Sequence, residues 1–218
     1  MNLTGSMIDI INNSVYGALA LDALWGLYCM VVVYMRIGQH RFRSERQQDA
    51  FLDDVEASLA KGDFDTAAEL CAGDRRAVPQ LAAVALANRT LDMGKVQELV
   101  VDRFQRDVLS DLEHRVNWIN NVIKTAPMLG LLGTVLGMMA AFGKLASSQN
   151  VKPDQLAEDI SFALITTAIG LTIAIPTTIG VASINIRIRK LEDLVGAGLN
   201  RFLDSFAAAQ KLLPDTRR

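Results

Sequence analysis

The sequence predicts an all-α membrane protein: three transmembrane helices with long cytoplasmic helical extensions. Two observations carry this. Half of the 218 residues are hydrophobic and mean hydropathy is +0.23, yet 21% are charged, and the two kinds are kept apart. Most of the 22 Lys and Arg and 24 Asp and Glu lie between Arg36 and Lys124. By contrast Ile10–Met35 holds only Asp22, and Thr125–Gly143 and Ile160–Ile186 hold none. A spanning helix needs roughly 20 mostly apolar residues, so three segments qualify. The second observation is that the polar region is helical in pattern, with no strand-like alternation of any length. Such apolar content excludes disorder, and the segregation of charge argues against a soluble enzyme of ordinary build. A net charge of −2 gives no argument for nucleic acid.

Residues 1–14 read as an N-terminus on the outer side of the membrane. They lack the basic region of a cleaved signal, and Asp9 and Asp22 interrupt the apolar run. The first span, 15–35, is followed at once by Arg36, His40, Arg41, Arg43 and Arg46. That cluster is a positive-inside signal, placing Met1 outside and residues 36–118 in the cytoplasm. Asp22 would cost about 2.5–3.5 kcal/mol at a span centre. It lies nearer the outer end, within reach of water or a neighbouring helix, and reads as a satisfied structural acid rather than a proton relay.

In the cytoplasmic region Phe51, Leu52, Val55 and Leu59 form one stripe, and Lys61-Gly62-Asp63 breaks it. A helix over Phe64–Cys71, a turn at Gly73-Asp74 and a helix over Pro79–Thr90 follow. Val96, Leu99, Val100, Phe104, Val108, Leu112 and Val116 then mark a long amphipathic helix running into the second span, 119–146. A short link, 147–155, makes the second and third spans an antiparallel hairpin with its turn outside. The third span, 156–186, ends at Arg187, Arg189 and Lys190, again inside by charge. Residues 187–218 form a cytoplasmic helical tail that frays after Pro214.

The hairpin carries two unusual residue sets. Gly130, Gly133 and Gly137 share a face of the second span, and Gly133 and Gly137 make a GxxxG, a signal for close helix contact in membranes. Gly170, Ala174 and Thr178 repeat the theme in the third span, with Pro176 inviting a kink. The other set is hydroxylated: Thr134, then Thr166, Thr167, Thr172, Thr177 and Thr178. Each hydroxyl alone has a local explanation, a bond to the carbonyl one turn back. As a set beside small residues, with Thr134, Thr167 and Thr178 leading, they read as a narrow polar seam able to hold water. A proton path normally needs a titratable carrier in the membrane. None lies in the uncharged runs of the hairpin, so the carrier would have to come from elsewhere, with Asp22 the only internal candidate.

Metal and covalent chemistry find no support. His40 and His114 are far apart, Cys29 and Cys71 lack CxxC spacing, and no nucleophile–base pair or phosphate loop is present. No cofactor, metal or bond-making activity is expected, and the two thiols read as packing residues.

TAPMLGLLGTVLGMMAAF and ISFALITTAIGLTIAIPTTI resemble the signature hairpin of the MotA/TolQ/ExbB proton channel family. Three spans in a chain of this length resemble the ExbB/TolQ branch more than the four-span flagellar stator branch. The resemblance implies a homo-oligomeric ring, a pentamer in the bacterial inner membrane, with the second and third helices lining a pore. An ExbD/TolR-like single-span partner would place its proton-carrying Asp inside, and a TonB/TolA-like protein would receive the work. Residue by residue it implies pore roles for Thr134 and Thr167, and a kink at Pro176. One departure stands out: Phe162 occupies a position where many relatives carry Glu. Just upstream, Glu158 and Asp159 either supply negative charge at the outer mouth or cap a helix start. The competing expectations are a flagellar-type stator subunit and a non-conducting membrane scaffold whose hairpin only oligomerises.

Overall fold

The computed structural model describes residues 3–42, 44–147 and 153–211. Every regular element among them is helical: α1 (Leu3–His40), α2 (Glu45–Ala60), α3 (Phe64–Cys71), α4 (Ala77–Ala87), α5 (Met93–Arg103), a π-helical segment (Phe104–Leu109), α6 (Ser110–Ser147) and α7 (Pro153–Gln210). Among the described residues, three helical runs are long and apolar enough to cross a membrane: Asn13–Ala60, Met93–Ala146 and Leu156–Gln210. The chain is an all-α membrane protein. Arg43, the middle of the 147–155 link and the break expected at Pro214 lie outside the described residues.

The helix expected over Pro79–Thr90 starts earlier, at Ala77. Pro79 then falls in the first turn, where its missing N–H leaves no intrahelical bond unmade. The long amphipathic helix begins at Met93 and is not uniform, since six residues wind as a π-helix before α6. Pro127 and Pro176 sit inside α6 and α7, which continue through them.

The chain forms two compact units, one from residues 1–32 and 115–183, the other from 33–114 and 184–218. In the second unit, side chains start the helices. Ser44 accepts the Gln47 N–H at the head of α2, and Asp63 accepts the Thr66 N–H at the head of α3. Gly62 turns the chain between them with φ +74, a left-handed value that favours glycine. Leu52, Val55 and Leu59 of α2 are buried, as are Leu191, Phe202 and Phe206 of α7. Gln48 donates to the Leu194 carbonyl at 2.7 Å, and Arg201 is held by Asp53 and Glu56.

Cys71 ends α3 inside this core. Burial first, and the nearby Asp74 carboxylate second, push its thiol up to about 11. The neutral thiol is the form the fold accepts. Its contribution is therefore fully present below the unfolded value near 9 and is lost as pH rises through about 11. Maleimide at pH 7.5 is expected to leave Cys71 unlabelled in the folded chain and to label it in denaturant. Rapid labelling of the native chain at this residue would contradict its placement.

In the first unit, α1 packs on the hairpin through Val15 and Leu19, buried with Phe162. Tyr16 meets Phe162 edge-on with ring centroids 5.3 Å apart. Phe162 therefore belongs to an apolar cluster facing α1, a setting in which an ionised glutamate would be costly.

Candidate functional site

The hairpin helices touch along small residues. A Cβ on Gly170 would stand 3.2 Å from the Ala126 carbonyl carbon and 3.3 Å from Pro127 Cα. One on Gly130 would stand 2.8 Å from the Thr166 carbonyl oxygen and 3.0 Å from Thr167 Cα. Backbone thus lies against backbone, an approach that only glycine allows. Gly133 faces the Thr166 side chain, and Gly137 faces Ala163. Gly143 has nothing within 4 Å of where its Cβ would be and takes no part in the seam.

The close approach delivers the hydroxyls. Thr134 and Thr167 share a short hydrogen bond across the two helices. Thr134 Oγ1 lies 3.3 Å from both the Gly130 and Ala163 carbonyls, and Thr167 Oγ1 lies 3.1 Å from the Gly130 carbonyl. Both residues are half-buried, so the pair opens at the hairpin surface. Each hydroxyl carries one proton and can both donate and accept. Here two hydroxyls and two carbonyls converge within one otherwise apolar stretch. Local carbonyl bonding and a cross-helix seam, alternatives in the sequence, coexist.

By spacing Thr167, Gly170, Leu171, Ala174 and Thr178 describe one face of the third span, but the face that α7 presents is turned relative to that row. Gly170 and Ala174 are buried, but Leu171 and Thr178 are exposed. Thr178 donates to the Ala174 carbonyl at 2.8 Å and does not reach α6, while Thr172 and Thr177 bond back one turn in the same way. Thr166 takes the inward position instead: it is fully buried and donates to the Ala163 carbonyl at 2.9 Å. Spacing alone did not single it out, because Thr166 and Thr167 are adjacent and either could face the partner helix.

The two neighbouring acids of α7 part company. Glu158 is exposed, whereas Asp159 is buried and paired with Lys144 at 2.7 Å. Lys144 went unnoticed in the sequence, since nothing local marks a partner fifteen residues away. Asp22 is met by a neighbouring helix: the Thr125 hydroxyl lies 2.9 Å from both its carboxylate oxygens. No group of three or more His, Cys, Asp or Glu side chains able to hold a metal occurs among the described residues.

The sequence profile described as the MotA/TolQ/ExbB proton channel family matches residues 76–196, more than half of the chain and all of the seam. The chain belongs to this family. Within the MotA/TolQ/ExbB family, its relatives include the Tol-Pal system protein TolQ of Haemophilus influenzae, 36% identical over 98 residues, or 45% of this chain and 41% of the relative. A protein of Methanothermobacter thermautotrophicus named as a homologue of the biopolymer transport protein ExbB is 27% identical over 176 residues, covering 80% of this chain and 61% of its own length. The biopolymer transport protein exbB1 of Vibrio cholerae is 46% identical over 56 residues, 25% of each chain. The matched stretches thus span between a quarter and three fifths of these relatives' lengths. This MotA/TolQ/ExbB-family chain carries its hydroxyl pair and its glycine seam inside the matched region.

Proposed function

We propose that the chain is an ExbB/TolQ-like subunit of an inner-membrane proton channel or motor. With an ExbD/TolR-like single-span partner it would use proton-motive force to energise transport or envelope work through a TonB/TolA-like protein. The observation that supports this reading best is the Thr134–Thr167 pair, two hydroxyls brought together on an apolar hairpin and open at its surface. Such a pair can hold water and hydrogen-bond a carboxylate passing by, yet it cannot itself gain or lose a proton near neutral pH. The charge carrier is therefore the partner's Asp. Five hairpins surrounding the partner's spans would line the path with these hydroxyls. Thr178, also exposed, would continue the lining along α7. Glu158 is the solvated acid at the outer mouth. The N-terminus and the link 147–155 face the periplasm, and the polar region 36–118 and tail 187–218 face the cytoplasm.

Proteoliposomes test the division of labour. The full chain alone is expected to hold an imposed proton gradient, and the chain purified with its single-span partner to dissipate it. Rapid proton leak through the chain alone would contradict the reading. A tight seal in both cases would favour a scaffold.

A further inference from the structure

The small-residue seam has little in it that fixes how far one helix slides along the other. Gly130, Gly133, Gly137 and Ala141 on α6, and Ala163, Thr166, Gly170 and Ala174 on α7, offer small residues about one turn apart. A slip of one turn, about 5.4 Å, would again set small residues against small residues. It would also part Thr134 from Thr167.

One contact in the seam is neither small nor repeated. Near the outer end Lys144 Nζ lies 2.8 Å from Oδ1 and 2.7 Å from Oδ2 of the buried Asp159. Asp159, Ala163 and Thr167 follow at four-residue steps on α7, opposite Lys144, Gly137 and Thr134 on α6. Ion pair and hydroxyl pair are rungs of one ladder. The next cation along α6 is Lys124, and along α7 it is Arg187. Neither could replace Lys144 after a slip of one turn. A buried carboxylate stripped of its partner is strongly disfavoured, and fixing register is the best-attested use of such pairs.

We infer that Lys144 and Asp159 are the register pin of the hairpin. Lys144 is a positioning residue that keeps Thr134 opposite Thr167, and Asp159 is committed to that bond and not to proton entry. The functional part of this inference rests on the channel reading; the geometric part does not.

The test uses the full chain in nanodiscs, with Cys29→Ala to leave only introduced thiols reactive. Val135→Cys and Ile175→Cys, both on exposed faces, carry spin labels, diluted with unlabelled chain so that only distances within a subunit are read. Lys144→Met is expected to move or split the distance by about the rise of one turn, ~5.4 Å. Lys144→Arg is expected to keep the parental distance. So is the exchanged pair, Lys144→Asp with Asp159→Lys. A single unmoved distance in Lys144→Met overturns the inference, and so does an exchanged pair as displaced as the single variant. Should Lys144→Met fail to accumulate, the exchanged pair decides: accumulation at the parental distance supports the pin, and its failure sinks it. No proton flow is needed for this readout. A chain that shifts as expected but never conducts leaves the pin standing and removes only the channel reading.

Discussion

With Thr134 and Thr167 both replaced by valine, the assembled complex is expected to remain in the membrane at parental levels while proton-driven work falls by about ten- to a hundredfold. Valine nearly matches threonine in shape, so the close approach at Gly130 and Gly170 is kept. The Gly130 and Ala163 carbonyls retain the buried Thr166 hydroxyl within 3.4 and 2.9 Å. What disappears is the half-buried donor pair. A hydrogen bond to a charged group contributes about 1.5–3 kcal/mol, which for a passing carboxylate corresponds to roughly one to two orders of magnitude in rate. Energised uptake in whole cells, measured beside complex abundance, separates the possibilities. Undiminished uptake would return the seam to a purely structural role.

The largest loss of structure is expected from Gly170→Val. A Cβ at this position meets the Ala126 backbone, with the carbonyl carbon at 3.2 Å. Unlike a flexible side chain, backbone within a helix cannot move aside. Forcing extra methyl groups into a packed site typically costs about 1–3 kcal/mol, and here both helices must separate to admit them. The variant should fail to accumulate in the membrane. Gly143→Ala is the matched control, because that position has open space around it. Alanine there should be tolerated or should raise stability by up to about 1 kcal/mol through helix propensity. Equal damage from both variants would mean that the loss of glycine as such, and not the contact, is responsible.

The three long helices could be read from the chain because charge and apolar residues were separated so completely. Asp22 was the sole exception in the first run, and Gly62 and Gly73 marked turns that positive φ values confirm. Glycine spacing also showed that two helices approach closely. It could not show which of two neighbouring threonines would face inward. Thr166 and Thr167 differ by about 100° around the helix, and a small-residue stripe is broad enough to include both. Pairings between distant positions were illegible for a different reason. Lys144 with Asp159 and Thr125 with Asp22 depend on how helices stack, and neither residue's local sequence announces its partner.

The π-helical turn before α6 has a quiet structural effect. Val100 and Val108 are both buried although eight residues separate them, a spacing that would leave them about 80° apart around a regular α-helix. The wider winding of Phe104–Leu109 absorbs that offset. It works as a phase shim: one surplus residue is stored locally, so Val108 and Leu112 come back to the buried side of their own unit. Residue spacings along this helical run are therefore not tied to the regular helical repeat.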